Sequence, residues 1–210
     1  MGQNKSHAVM QQRTEPHDSL DFFPTPPWAT RALCEMIGDG DLNHQNCWEP
    51  ACGAGHMARP LSEYFGQVIA SDVHSYGWGS VDDFLLPSER RNYDWIITNP
   101  PFRLAAQFIM KARRHAVNGI AMLVRSAFLE GCERHATIFS GDNRPTRVLQ
   151  FVERVPMTKG RCLRSSTTAT SYCWLVWEGS ADHVRLEWIP PCRKRLERWG
   201  DYDVEQRPAA

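Results

Sequence analysis

The tetrapeptide Asn99-Pro100-Pro101-Phe102 stands directly after the run Asp94-Trp95-Ile96-Ile97-Thr98, and its residue types suit one kind of chemistry. Two consecutive prolines remove two N–H donors and fix two φ angles, so the Pro100 carbonyl is rigid and free to accept a hydrogen bond. The Asn99 carboxamide oxygen is a second acceptor beside it. An amine on a heteroaromatic ring has a delocalised lone pair; it becomes a methyl acceptor when two groups that accept from its N–H hydrogens draw it toward tetrahedral geometry. Asn99 and Pro100 supply such a pair, and Phe102 offers a flat face on which a planar base can stack. A proline-rich turn that only closes a strand is the alternative. It explains Pro-Pro but fits the whole run poorly.

A second constellation, Gly53-Ala54-Gly55, ends the turn that begins at Glu49 and runs through Pro50, Ala51 and Cys52. Glycines there admit unusual φ values and bring the backbone close to a ligand, while the next helix offers free N–H groups. The third glycine of a dinucleotide fingerprint is missing, so the turn by itself is more readily structural. Asp72, 17 residues beyond Gly55, changes the balance. It ends a predicted strand over residues 67–73, where a carboxylate can accept from both ribose hydroxyls. Together the turn and the acid indicate a nucleoside-containing cofactor.

Other residues carry weaker signals. His44, Cys47, Cys52 and His56 have zinc-like spacing, but they straddle a strand and a turn and would face different ways, so no metal is expected. Arg125, at the end of a predicted strand over 120–124, is placed for a phosphate or for a salt bridge. Lys159, Arg161 and Arg164 lie in the polar segment 156–170 and are candidates for contacts to a nucleic-acid backbone; a disordered solvated loop is the alternative. Trp174 and Trp177 lie three apart in a predicted strand, on opposite faces, with core positions favoured for both.

The elements that must hold these groups follow from periodicity. Ala29, Ala32, Leu33, Met36 and Ile37 mark one buried face of a helix that starts near Pro27 and stops at Gly38. Short apolar runs at 47–48, 67–73, 94–98 and 120–124 read as strands, and segments through residue 64, around 105–112 and over 128–139 read as helices. Strand and helix alternate, which means α/β with a mostly parallel sheet. Two late strands, 148–152 and 171–177, are expected to pair antiparallel. The domain is placed at residues 21–190, between a disordered tail (1–20) and a loose C-terminal tail (191–210).

With 42% hydrophobic residues the chain can bury a core, and it has no run of roughly 18 apolar residues that could span a membrane. A polar N-terminus without a signal and seven scattered cysteines point to a cytoplasmic protein with reduced thiols. The formal net charge is zero, which argues against a polynucleotide partner until it is divided. Residues 1–102 hold 6 basic and 13 acidic groups, residues 103–170 hold 12 and 4, and residues 171–210 hold 6 and 7. The basic stretch after Phe102 is what an anion-binding face would look like.

In this order the motifs resemble those of the S-adenosylmethionine-dependent amino-methyltransferases, in particular the adenine-N6 DNA methyltransferases of the gamma arrangement and of the small phage or bacterial type. Phe23-Pro24-Thr25-Pro26 resembles the N-terminal cofactor motif, Glu49 to Gly55 the glycine-rich motif, Asp72 the ribose acid, Asp83-Phe84 the pair around the cofactor adenine, and Asn99 to Phe102 the catalytic tetrapeptide. The resemblance implies a Rossmann-like fold with a seven-stranded, mostly parallel sheet, helices on both faces and a C-terminal antiparallel hairpin. It implies S-adenosylmethionine as cofactor, held by Phe23, Pro24, Thr25, Glu49, Ala51, Cys52, Gly53, Gly55, Asp72, Val73, Asp83, Phe84 and Asn99. Asn99, Pro100, Pro101 and Phe102 would be catalytic. The substrate would be DNA, with Phe102, Arg125, Lys159, Arg161 and Arg164 on its side. About a hundred residues follow Phe102 and are needed to finish the sheet, so no separate target-recognition domain is expected. RNA adenine, a protein glutamine amide, an idle nucleic-acid-binding subunit and a dehydrogenase are the rival readings, and a homodimer is left open.

Overall fold

The computed structural model describes residues 21–38, 41–87, 92–180 and 182–203. The expected tail 1–20 lies outside them. Eight described strands form one sheet: β1 (Asn46–Glu49), β2 (Gln67–Asp72), β3 (Ser80–Val81), β4 (Tyr93–Thr98), β5 (Ala116–Arg125), β6 (Arg147–Phe151), β7 (Tyr172–Glu178) and β8 (Arg185–Ile189). Their order across the sheet is β3-β2-β1-β4-β5-β7-β6-β8. The β1–β2, β1–β4, β2–β3, β4–β5 and β6–β8 pairs are parallel, while β7 runs antiparallel to both β5 and β6. The late strands pair antiparallel as expected, but the sheet has eight strands rather than seven. The sequence Arg-Leu-Glu-Trp-Ile of β8 alternates charged and apolar residues, as an exposed edge strand does, and lacks the consecutive apolar run of its buried neighbours.

Two hydrophobic layers flank the sheet. Trp95, Ile97, Leu123, Leu149 and Trp174 face α1 (Pro27–Ile37), whose Trp28, Ala29, Ala32 and Leu33 are fully buried or nearly so. Ile96, Ile120, Met122, Leu175 and Trp177 face Phe108, Ile109 and Ala112 of α3 (Ala105–His115). Alternate residues of one strand thus serve opposite layers. Trp174 and Trp177 are both core and lie in different layers.

Two predicted helices are broken. The segment after the glycine turn holds only α2 (Ala58–Leu61), where Pro60 lacks an N–H to continue the ladder. Residues 128–139 are not one helix. A 3-10 turn (Ser126–Leu129), α4 (Cys132–Arg134) and a π turn (His135–Phe139) succeed one another, with Gly131 at φ 120 separating the first two.

Up to Asp203, the expected loose tail is pinned to the domain. Its short helix α5 (Arg193–Leu196) packs near α1. The buried Arg31 guanidinium on α1 donates to both oxygens of Asp201 at 2.7 and 2.9 Å, to Glu63 at 2.8 and 2.9 Å, and to the Leu196 carbonyl at 2.7 Å. A planar cation inside the protein is stable only when its donors are satisfied in this way. Asp201→Asn leaves Arg31 short of its compensating charge and is expected to cost about 3–5 kcal/mol; urea unfolding of the variant against the parent checks this.

Candidate active site

The parallel strands β2, β1, β4 and β5 all deliver their next residues to one edge of the sheet, and the chain reverses its strand order between β1 and β4. In open α/β sheets the crevice at such a point is where ligands bind. Glu49 ends β1, Asp72 ends β2, Asn99 follows β4 and Arg125 ends β5. The sequence-predicted groups therefore converge on a single edge.

The Asn99 carboxamide is clamped. Its Nδ2 donates to the Phe23 carbonyl at 3.0 Å and the Thr25 hydroxyl at 3.1 Å, with the Met157 sulfur at 3.7 Å. With both N–H hydrogens taken, the orientation of the amide is fixed. Its Oδ1 is buried and has no hydrogen-bond partner among the described residues. An orphaned acceptor in a protein interior is costly, and it is satisfied when a donor enters from outside. The next residues are held too: Asp21 accepts from Phe102 N–H at 2.6 Å, and the Pro101 carbonyl accepts from Leu104 N–H at 2.9 Å. Phe102 packs against Phe23, ring centroids 5.3 Å apart, and the Arg125 guanidinium lies 4.0 Å over its ring. Burial pushes the Tyr172 hydroxyl's pKa up, and the positive charge of Arg125 beside it opposes that rise. The partners of Arg125 here are thus aromatic side chains.

The glycine turn is tied to the neighbouring strand. Asp72 accepts from Gly53 N–H at 2.9 Å with one oxygen and from His74 N–H at 3.0 Å with the other, which leaves lone pairs on both. Gly53 and Gly55 have φ of 50° and 80°, and a Cβ on either would collide with an aromatic ring, Phe22 at 2.4 Å and Trp78 at 2.5 Å. Phe22 in turn stacks on Tyr76 at 4.5 Å. Phe22, Tyr76 and Trp78 form an aromatic cover over the turn that sequence reasoning missed. The signal was there in Tyr76-Gly77-Trp78-Gly79, an aromatic pair in a glycine-rich loop soon after Asp72.

Glu49 is the second orphan. Its side chain is buried, one oxygen has no partner among the described residues, and burial together with the negative charge of Asp72 raises its pKa well above the carboxylate range. A buried acid with a vacant oxygen, beside a turn without side chains, fits a ligand that carries a positive amine. His56, buried after Gly55, has an unpartnered Nδ1 and sets its Nε2 3.6 Å from Asp203; burial pushes its pKa down, against Asp203.

Other predicted positions fare differently. Asp83 caps Leu85 N–H at 2.9 Å and stays half-buried, but Phe84 is enclosed by Trp48 and Phe108 at 5.0 and 4.7 Å, so it lies in the core rather than on a free face of the cleft. Pro24 and Cys52 are buried, Ala51 is half-buried and Val73 is exposed. Residues 156–170 are anchored by buried Met157 and Cys162, and Gly160 N–H donates to the Phe22 carbonyl at 2.9 Å. Lys159 and Arg161 are exposed beside that anchor, whereas Arg164 pairs with Glu197 at 3.1 Å. Of the zinc-like set, Cys47 lies in the core and His44 on the surface.

The sequence matches no protein-family model and no curated protein. The folded chain does match solved structures. A type I restriction-modification methyltransferase subunit from Streptococcus thermophilus aligns with TM-score 0.60 at 12% identity over 88% of this chain and 50% of its own. The fold is that of the S-adenosylmethionine-dependent methyltransferases. A protein assigned as an RNA methyltransferase from Pyrococcus horikoshii (TM-score 0.58, 15% identity, 80% and 90% covered) shares it. So does the magnesium protoporphyrin IX methyltransferase of Synechocystis with bound S-adenosylmethionine (TM-score 0.52, 15%, 73% and 79%). The chain spans about half the length of the restriction-modification subunit.

The raised pKa of Glu49 has a sign that can be measured. Between the ordinary carboxylate range and the raised value the folded state binds the extra proton, so stability falls as pH rises through that window. Glu49→Gln removes the ionisable group. The variant is expected to melt higher than the parent once the pH is well above the ordinary carboxylate range, with the parent losing stability relative to the variant as pH rises out of that range; thermal unfolding of both proteins against pH reads the difference.

Proposed function

We propose that this chain transfers a methyl group from S-adenosylmethionine to the exocyclic N6 amine of adenine in DNA. The observation that carries the reading is the buried Asn99 Oδ1, held without a partner at the carboxyl end of β4 because both amide hydrogens are committed elsewhere. A planar amine entering there meets Asn99 Oδ1 and the Pro100 carbonyl. Both accept its hydrogens, which localises the nitrogen lone pair and aims it across the cleft. Phe102, with Arg125 against its ring, provides the aromatic wall for the base.

S-adenosylmethionine supplies a methyl group activated by its sulfonium centre. The residues suited to hold it are Glu49 for the methionine ammonium, the 53–55 turn for the close backbone approach, Asp72 for the ribose and Asp83 for the adenine amine. The domain in this reading comprises residues 21–190 with 156–170 facing the substrate, and the described part of the C-terminal segment adds to it. The excess of basic residues over 103–170 favours a polynucleotide over a protein substrate.

Asn99→Ala is expected to lower turnover by about a hundredfold or more while leaving S-adenosylmethionine binding by calorimetry largely intact. Labelled S-adenosylmethionine offered with DNA, RNA and protein, followed by nucleoside analysis, identifies the acceptor. Label in N6-methyladenosine from RNA, or in a glutamine amide, replaces the DNA assignment, and substantial turnover by the Asn99 variant removes the catalytic one. Neutralising Lys159 and Arg161 is expected to weaken DNA binding and to reduce the slope of log affinity against log salt by about one for each phosphate that is no longer neutralised. An unchanged slope returns the loop to a structural role.

A further inference from the structure

We propose that the outer edge of β8 is the surface on which a second copy of this chain docks, in an antiparallel strand pairing centred on Leu186. The proposal is independent of what the active site methylates.

β8 is the last strand of the sheet among the described residues. Arg185 N–H donates to the Thr146 carbonyl and Val152 N–H to the Ile189 carbonyl, so residues 185, 187 and 189 turn their backbone groups inward to β6. The alternating residues, Val184, Leu186 and Trp188, therefore present theirs to the outside. Their side chains share one face of the strand and are 40%, 54% and 59% exposed. They lie on the same side as Val148 and the α3 layer, but beyond the cover of that helix. Between Val184 and Pro190 the strand carries neither lysine nor proline, and its two charges, Arg185 and Glu187, are of opposite sign and lie on the face away from the apolar row. An open ladder beside a row of apolar side chains is a surface made to be paired.

Its sequence is complementary to itself. When two copies run antiparallel about Leu186, Leu186 faces Leu186 of the second copy once, on the twofold, while Val184 faces Trp188 and Arg185 faces Glu187, each of these two pairs occurring twice. All the outward N–H and C=O groups of 184, 186 and 188 find partners in that register. Apolar pairs fall on one face and opposite charges on the other, the combination that stabilises neighbouring strands. Glu187 is already held by Arg147 at 2.7 and 2.8 Å, so the arriving Arg185 meets a carboxylate fixed in place. Moving the centre by one residue, to Glu187, sets two like charges face to face. Charge thus selects the register as well as the partner.

Sedimentation velocity over roughly 1–200 µM, the range of small interfaces, tests the proposal. The full chain is expected to pass from monomer to dimer with concentration. Leu186→Lys brings two cations together at the twofold and should weaken association by about tenfold or more. Arg185→Glu, altered only at an exposed side chain, should do the same by opposing Glu187. Equal thermal midpoints for parent and variants show that folding is unchanged. In a Cys132→Ser background, Leu186→Cys should give a disulfide-linked dimer under mild oxidation, because directly opposed hydrogen-bonded residues have Cα atoms about 5.5 Å apart. A monomer at every concentration overturns the proposal, as does a dimer that tolerates both charge variants. A dimer that fails to cross-link through residue 186 overturns the register.

Discussion

A primary amide can present either its oxygen or its hydrogens to a cleft, and at Asn99 the choice is made by residues that lie more than seventy positions earlier in the chain. The Phe23 carbonyl and Thr25 hydroxyl consume both hydrogens, so the oxygen is what remains. The same short segment does more. Asp21 holds Phe102 by its backbone, the Phe22 ring covers Gly53, and the Phe22 carbonyl anchors the turn at Gly160. Residues 21–25 thus join the glycine turn, the Asn-Pro-Pro-Phe tetrapeptide and the basic loop before α1 begins. Pro24 within this segment and Pro26 and Pro27 after it stiffen the chain at its exit into the helix, and a stiff backbone is what an acceptor on Asn99 requires.

The site carries its function as unfavourable free energy. An orphaned amide oxygen and a buried acid near a second carboxylate both weaken the folded chain without a ligand. They are tolerable because the two hydrophobic layers on either side of the sheet are dense and continuous. The charge distribution follows the same logic. Acidic groups concentrate in the stretch that makes the glycine turn and its neighbours, and basic groups follow the tetrapeptide, so a net charge of zero conceals two oppositely charged stretches of sequence.

The parts of this molecule legible in the sequence were those where one physical demand dominates. Runs such as Ile96-Ile97 and residues 120–124 are apolar on consecutive positions because both faces are covered, and they announced β4 and β5. Asn99 stood out because it follows directly on such a strand, and Asp72 because it ends β2 after the glycine turn. The glycine turn was visible, but the aromatic rings above it were not, since their approach depends on a loop closing in three dimensions. Phe84 was assigned to the cofactor on its place in a motif, whereas packing against Trp48 and Phe108 takes it inside. β8 was hidden by its exposure, and the helix expected over 128–139 failed at a glycine whose φ no helix accepts. The vacancies on Glu49 and Asn99 were beyond sequence, because they are defined by which neighbours are absent.

The ion pair between α1 and the C-terminal segment orders events in time. Arg31 and Asp201 are 170 residues apart, a separation that a ribosome covers in roughly 10–30 s at typical elongation rates. Until then the guanidinium has only Glu63 for company, and docking α1 on the sheet would bury a cation with half its partners missing. The Arg31 guanidinium of α1 therefore gains its full set of partners only when the segment around Asp201 is docked. The long loop that this pairing closes belongs with the contacts that slow folding most.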